Sequence, residues 1–246
     1  MYGTPIHCEI GYCLVDPEAG FAFTPPRTVL STRKAPLGTR AVQNCPAVNG
    51  LERQLVEIPS PIGLRLTLQI ENGELNLQVN PKGTIPDQEA LSRVLSVAPQ
   101  DRWRDPKKPI VRLTIPWFFV TDERCMVSLM PPFLASEMRR WPGTMVTGRY
   151  PVTDWPQNLT WSLEWDDFDA ELVLRQGDPL AYASFEFGDP NKRPKLVEAD
   201  LTDDLKEFRA GMDGIHHLTD RIEEVWANAR SRRPARLMVP TSETDR

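Results

Sequence analysis

The apolar positions of this chain follow one period over most of its length and another near its end. Leu64, Leu66, Leu68 and Ile70 alternate with polar residues, Asn72-Gly73 follows, and Leu75, Leu77 and Val79 alternate again. Alternation of this kind marks a strand with one buried face. A two-residue Asn-Gly loop between two such runs predicts a tight hairpin, because both central residues must adopt positive φ. The turn also sets the register. Ile70 should face Leu75, Leu68 should face Leu77, and Leu66 should face Val79, with every apolar group on one side.

Further strands are predicted over 110–120, 125–130, 144–150, 159–165, 170–175 and 180–187. In one of them Leu159, Trp161, Leu163 and Trp165 alternate with polar residues, and Gln176-Gly177-Asp178-Pro179 supplies a turn before the last. One helix is predicted at about 86–97, opened by Pro86 with Asp87 and Glu89 behind it. Leu66, Leu68, Leu77, Trp161 and Leu163 are the expected core. Short strands joined by turn signals predict a mainly β fold, an antiparallel β-sandwich or jelly-roll-like domain over residues 1–194.

Beyond Pro194 the period changes. Leu205, Phe208, Met212, Ile215, Leu218, Ile222 and Val225 step by three or four, which is one face of a helix. Thr202 ahead of Asp203 and Asp204 predicts an N-cap with acids in the first turn, and Gly211 and Gly214 split or kink the segment. A helical appendage over 195–233 and a flexible tail over 234–246 follow. Isolated helices of this length are marginal in water, so the stripe must be covered by the sandwich or by another copy. A protein partner or self-association through these helices is the expectation, because the segment lies beyond the β core and ends in Arg230, Arg232, Arg233 and Arg236.

Composition agrees with the pattern. The 246 residues include 24 prolines and 14 glycines, too many prolines for a helical bundle and too few of the two together for low-complexity disorder. The formal net charge of −5 argues against an electrostatically driven nucleic-acid binder. No run approaches a membrane span, and the first thirty residues lack a basic segment followed by an apolar one, so a cytoplasmic location is expected. Four cysteines (Cys8, Cys13, Cys45 and Cys125) then read as free thiols.

Candidate chemistry is sparse. Glu164, Asp166, Asp167, Asp169 and Glu171 form an acidic run without the glycine or ligand spacing of a calcium loop, and a solvated turn accounts for it. His7, Cys8 and Cys13 are too few for a structural zinc site. His216 and His217 are neighbours on a predicted helix, where they diverge. No metal and no cofactor is expected, and no Walker, Rossmann or nucleophile-elbow motif occurs. Five of the seven tryptophans fall between 117 and 165, a possible stacking platform for sugars or bases. Trp141 and Trp155 each adjoin a proline in turn-like sequence and are the better candidates for a rim. Thr153, Asp154 and Tyr182 would supply polar and aromatic groups beside them.

Pro116-Trp117, Thr121, Pro131-Pro132, Pro142-Gly143, Gly148, Thr153-Asp154-Trp155 and Gly177-Asp178-Pro179-Leu180 occur in an order that resembles an uncharacterised family carried by marine tailed phages and scattered bacteria. The resemblance spans about 41–190. The chain departs from it between Phe133 and Arg140, where the family's Gly-Pro-x-Asn segment has no counterpart. It implies a phage association, including a virion location, without implying a reaction. Two functions remain open: a non-catalytic binding or assembly module, virion-associated or accessory, and a cupin-like small-molecule binder or enzyme with its site inside a β-barrel.

Overall fold

The Leu64–Val79 hairpin forms in the register its alternation dictates. Leu66 pairs with Val79, Leu68 with Leu77 and Ile70 with Leu75, and Leu66 and Leu68 are fully buried while Leu77 is half-buried. The computed structural model describes residues 4–15, 24–29, 45–71, 74–84, 88–135, 137–212 and 221–241. Asn72 and Gly73, for which the tight turn was expected, lie outside the described residues, as do Pro86, Ile215, His216, His217 and Leu218.

In chain order the first elements are β1 (Ile6–Leu14), β2 (Arg27–Thr28), α1 (Pro46–Glu52), β3 (Leu55–Pro59), β4 (Leu64–Glu71) and β5 (Glu74–Val79). Then come α2 (Gln88–Val94), β6 (Leu95–Val97), β7 (Ile110–Thr114), β8 (Trp117–Val120), β9 (Cys125–Met130), β10 (Gly143–Met145) and β11 (Gly148–Pro151). The last are β12 (Thr160–Trp165), β13 (Leu172–Leu174), β14 (Pro179–Phe187), β15 (Lys192–Glu198), α3 (Asp203–Ala210) and α4 (Ile222–Arg232). Pro116 divides the strand predicted over 110–120, and the helix predicted to Val97 stops at Val94 and continues as strand.

The fold is mainly β. The strands pair in four sheets, β15-β1-β8, β10-β12-β7-β6, β11-β9-β14-β3-β2 and β13-β4-β5. Among the described residues all strand pairings are antiparallel except β1 with β15, so the purely antiparallel expectation needs that correction. Among the described residues the sheets do not close into a barrel, which corrects the β-barrel of the cupin-like alternative: Leu64, Leu66, Leu113, Trp117, Phe119, Trp165 and Phe185 fill the interior as a packed core. Gly143 lets β10 close on β12, since a Cβ there would stand 2.0 Å from the Glu164 carbonyl oxygen. Gly177, at φ +83°, makes the turn predicted before β14.

β8 reads Trp-Phe-Phe-Val and is buried on both faces. Trp117 and Phe119 enter the main core, whereas Phe118 and Val120 face a second cluster with Cys13, Ala199, Leu205, Phe208, Met212, Val225 and Ala229. A continuous apolar strand therefore lies between two layers. Of the helical stripe, Leu205, Phe208, Met212 and Val225 are buried in this second cluster, whereas Ile222 is exposed. Thr202 caps α3 as predicted, its hydroxyl accepting from Leu205 N at 3.3 Å. The helical part starts later than Lys195, because β15 runs to Glu198 beside β1. The segment predicted as a flexible tail is packed as far as it is described: Leu237 and Met238 are buried, and Asp200 N donates to Val239 O at 2.8 Å. Among the described residues no helix is long and apolar enough to cross a membrane.

Candidate functional site

The sequence Pro151-Val-Thr-Asp-Trp-Pro follows β11 and turns on itself, with Asp154 N and Trp155 N both donating to Pro151 O, at 3.2 and 2.9 Å. This turn presents three consecutive side chains to different surroundings. Thr153 and Asp154 are buried, and Trp155 is half-buried against the helical cluster.

Thr153 and Asp154 form a latch. The Thr153 hydroxyl donates to Glu123 O at 2.6 Å and accepts from Cys125 N at 3.1 Å, which ties the turn to the start of β9. The Asp154 carboxylate accepts from Arg230 Nε at 2.8 Å and forms an ion pair with its terminal nitrogen at 2.7 Å. Arg233 donates to Thr153 O at 2.8 Å, to Thr121 O at 3.0 Å and to Asp122 at 2.5 Å, and Leu237 N donates to the same Asp122 oxygen at 2.9 Å. Arg232 reaches Gly211 O at 2.9 Å. The C-terminal arginines thus staple α4 and the chain after it onto the β domain.

Two clefts flank this latch. The first, of about 490 Å³, is lined by alternating charges that neutralise one another: Lys192 with Glu123 at 2.6 Å, Arg149 with Glu186 at 2.8 Å, and Arg230 with Asp154. Hydrogen bonding from Arg149 holds the Glu186 carboxyl below its ordinary value, and hydrogen bonding to Glu123 raises Lys192. Burial pushes the Cys125 thiol up to about 12, so the thiol lining this cleft is neutral.

The second cleft, of about 560 Å³, has another character. It runs between β11, the turn after it, the start of β12 and α4. Tyr150, Trp155 and Trp226 supply aromatic surface, all half-buried, while Gln157, Asn158 and Thr160 supply polar groups. Ile222, an exposed residue of the helical stripe, also lines the cleft at 49% exposure. Asn158 Oδ1 accepts from Arg209 at 2.5 Å, and Arg209 in turn lies 3.8 Å over the Phe118 ring. The amide is thereby held on the second core. Burial pushes the Tyr150 phenol up, so it stays a neutral donor and acceptor. Among the described residues Arg149 is the one charged residue lining this cleft.

Of the five candidates from sequence, Trp155 lines this groove and Thr153 and Asp154 stand beside it. Trp141 does not join them: it packs edge-on against Trp161, ring centroids 5.3 Å apart, at the main core. Tyr182 belongs to a third cluster with Val29 and Leu55, where Phe133 meets it edge-on at 5.3 Å. Tyr150, Gln157, Asn158, Thr160 and Trp226 were not anticipated. Trp226 stood next to Val225 and four residues after Ile222, a spacing that places an aromatic at the border of the apolar stripe.

The acidic run does not assemble. Glu164 pairs with Arg104 at 2.9 Å, Asp166 with Lys108 at 2.6 Å, and Glu171 with Arg65, while Asp167 accepts from Asp169 N at 3.0 Å. Among the described residues no group of three or more histidine, cysteine or acidic side chains could hold a metal. No family model, curated protein or solved structure matches the chain.

Proposed function

We propose that this protein is a non-catalytic binding module that recognises its ligand in the aromatic groove between β11 and α4. The observation that carries the reading is the composition of that groove, three half-buried rings interleaved with polar side chains on rigid walls. Ligand sites are concave, mostly apolar, and oriented by a few polar groups, and volumes of roughly 300–1,000 Å³ are usual for them. The motif order that resembles phage and bacterial proteins supports a virion-associated or accessory role, in the cytoplasm or on the particle. A jelly-roll-like sandwich is the scaffold we propose for it.

The test is an indole-labelled NMR titration of the full chain with a panel of oligosaccharides, nucleotides and short peptides. A ligand of the groove shifts the Trp155 and Trp226 indole signals and leaves those of the fully buried Trp117 and Trp165 in place. If no compound moves the two groove indoles, or if shifts map to the charged cleft around Glu123 and Lys192, the proposal is wrong.

A further inference from the structure

We infer that the groove takes a neutral oligosaccharide, stacking hexopyranose faces on Trp155 and Trp226 and reading hydroxyls with Gln157, Asn158 and Thr160. The inference rests on the groove being a binding site and adds the chemical class of its ligand.

The rings come first. Trp155 and Trp226 are each packed on one side against the helical cluster and half-exposed on the other, and Tyr150 stands likewise against the main core. Rigid aromatic faces present a broad apolar surface at little entropic cost on binding. A pyranose ring offers the matching shape, C–H bonds on a face and hydroxyls around the edge.

The polar groups select among ligands with a flat face. Gln157 and Thr160 have no side-chain hydrogen bond among the described residues, and Asn158 has spent its oxygen on Arg209, which leaves its two amide donors. Together they offer donors and acceptors, as a set of sugar hydroxyls requires, each hydroxyl doing both. A lipid or purely apolar peptide would cover these groups without pairing them, which is unfavourable for every buried donor left unmade.

Charge removes the nucleotides. Among the described residues Arg149 is the one charged lining residue, and its guanidinium already binds Glu186 at 2.8 Å, so a phosphate would have to displace that pair. The chain as a whole carries a net charge of −5, which opposes a polyanion.

The experiment is calorimetric titration of the full chain with cellopentaose, chitopentaose, maltopentaose and laminaripentaose, beside AMP and a ten-residue oligothymidylate. The expected result is that at least one pentasaccharide binds, with an affinity unchanged between 50 and 500 mM NaCl. Gln157→Ala and Thr160→Val should each weaken it by about three- to tenfold, the loss of one hydrogen bond, while thermal stability stays the same. Trp226→Phe should weaken it and keep the fold. Salt-dependent binding of AMP or the oligonucleotide that these variants weaken would overturn the carbohydrate class and leave the groove standing. Sugar binding that none of the three variants affects would overturn both. No binding by any pentasaccharide overturns the inference.

Discussion

Replacing Arg230 by methionine and Asp154 by alanine should cost unequal amounts, although the two residues form one ion pair. The reason is their difference in exposure. The Asp154 side chain is 8% exposed and the Arg230 side chain 54%. In Asp154→Ala the guanidinium turns toward water and loses little, because an exposed charge without a partner is already solvated. In Arg230→Met the carboxylate stays behind with its charge buried, and an ion stranded in this way is the costly half of a broken pair. Fully buried pairs broken on one side lose about 3–5 kcal/mol. Partial exposure of the arginine places this pair lower, at about 2–3 kcal/mol for Arg230→Met and about 1 kcal/mol for Asp154→Ala. At about 2–4 °C per kcal/mol for a chain of this size, Tm should fall by about 5–10 °C in the first variant and about 2–4 °C in the second. Combining the two removes the stranded charge, so the double variant should resemble Asp154→Ala more than the sum. Differential scanning calorimetry with urea unfolding measures all four proteins. An aspartate variant as unstable as the arginine variant, or strictly additive losses, would show that the latch does not work through a buried carboxylate.

Further outcomes follow from the same packing. Cys45 is exposed, and hydrogen bonds from Val48 and Ala47 lower its pKa, whereas Cys8, Cys13 and Cys125 are buried. An aromatic disulfide reagent should therefore titrate one thiol quickly in the native protein and four after denaturation; two or more fast thiols would contradict the burial. Burial pushes Cys13 and Cys125 up to about 12 from 9.0, so the unfolded thiols ionise first as pH rises. Their contribution is intact below pH 9 and is lost between pH 9 and 12, at up to about 1.4 kcal/mol per pH unit for each. Alkaline melts of Cys13→Ala and Cys125→Ala should accordingly show shallower slopes than the parent, and equal slopes would refute this. Thr153→Val leaves Cys125 N without its acceptor and should cost about 1–3 kcal/mol in urea unfolding; a neutral result would mean that the turn is not held there. Gly143→Ala drives a Cβ into the Glu164 carbonyl and should cost about 3 kcal/mol or prevent folding, whereas an unchanged melting curve would exclude so close an approach of β10 to β12.

Local chemistry is what the sequence made legible by itself. The Asn-Gly turn and the alternation around it specify the pairing of Leu66 with Val79 and Leu68 with Leu77, because a slip of one residue would turn every leucine outward. Thr202 with two acids behind it specifies where α3 begins, and Gly177 specifies a turn. Each of these depends on residues a few positions apart. That Trp155 stands in a turn, half-buried, was legible for the same reason, its place between Asp154 and a proline.

What required the tertiary structure is every contact whose partners are remote. β1 alternates as any half-buried strand does, and nothing in Ile6–Leu14 names Lys192–Glu198 as its parallel neighbour. Trp141 had the same outward mark as Trp155, an adjoining proline, and only the packing decided that it and Tyr182 belong to other clusters. The partners of the arginines after Ala229 were not legible, because a guanidinium carries no local sign of its acceptor. Their partners, Asp154, Thr153, Thr121 and Asp122, come from loops some hundred positions earlier. The groove is likewise made of remote segments, Leu129 of β9, the stretch from Arg149 to Thr160 and the first turns of α4, that chain folding alone brings together. Short-range turn and cap chemistry is written in neighbouring residues. Charge pairing and concave surface arise only when burial has already chosen which remote residues share a space.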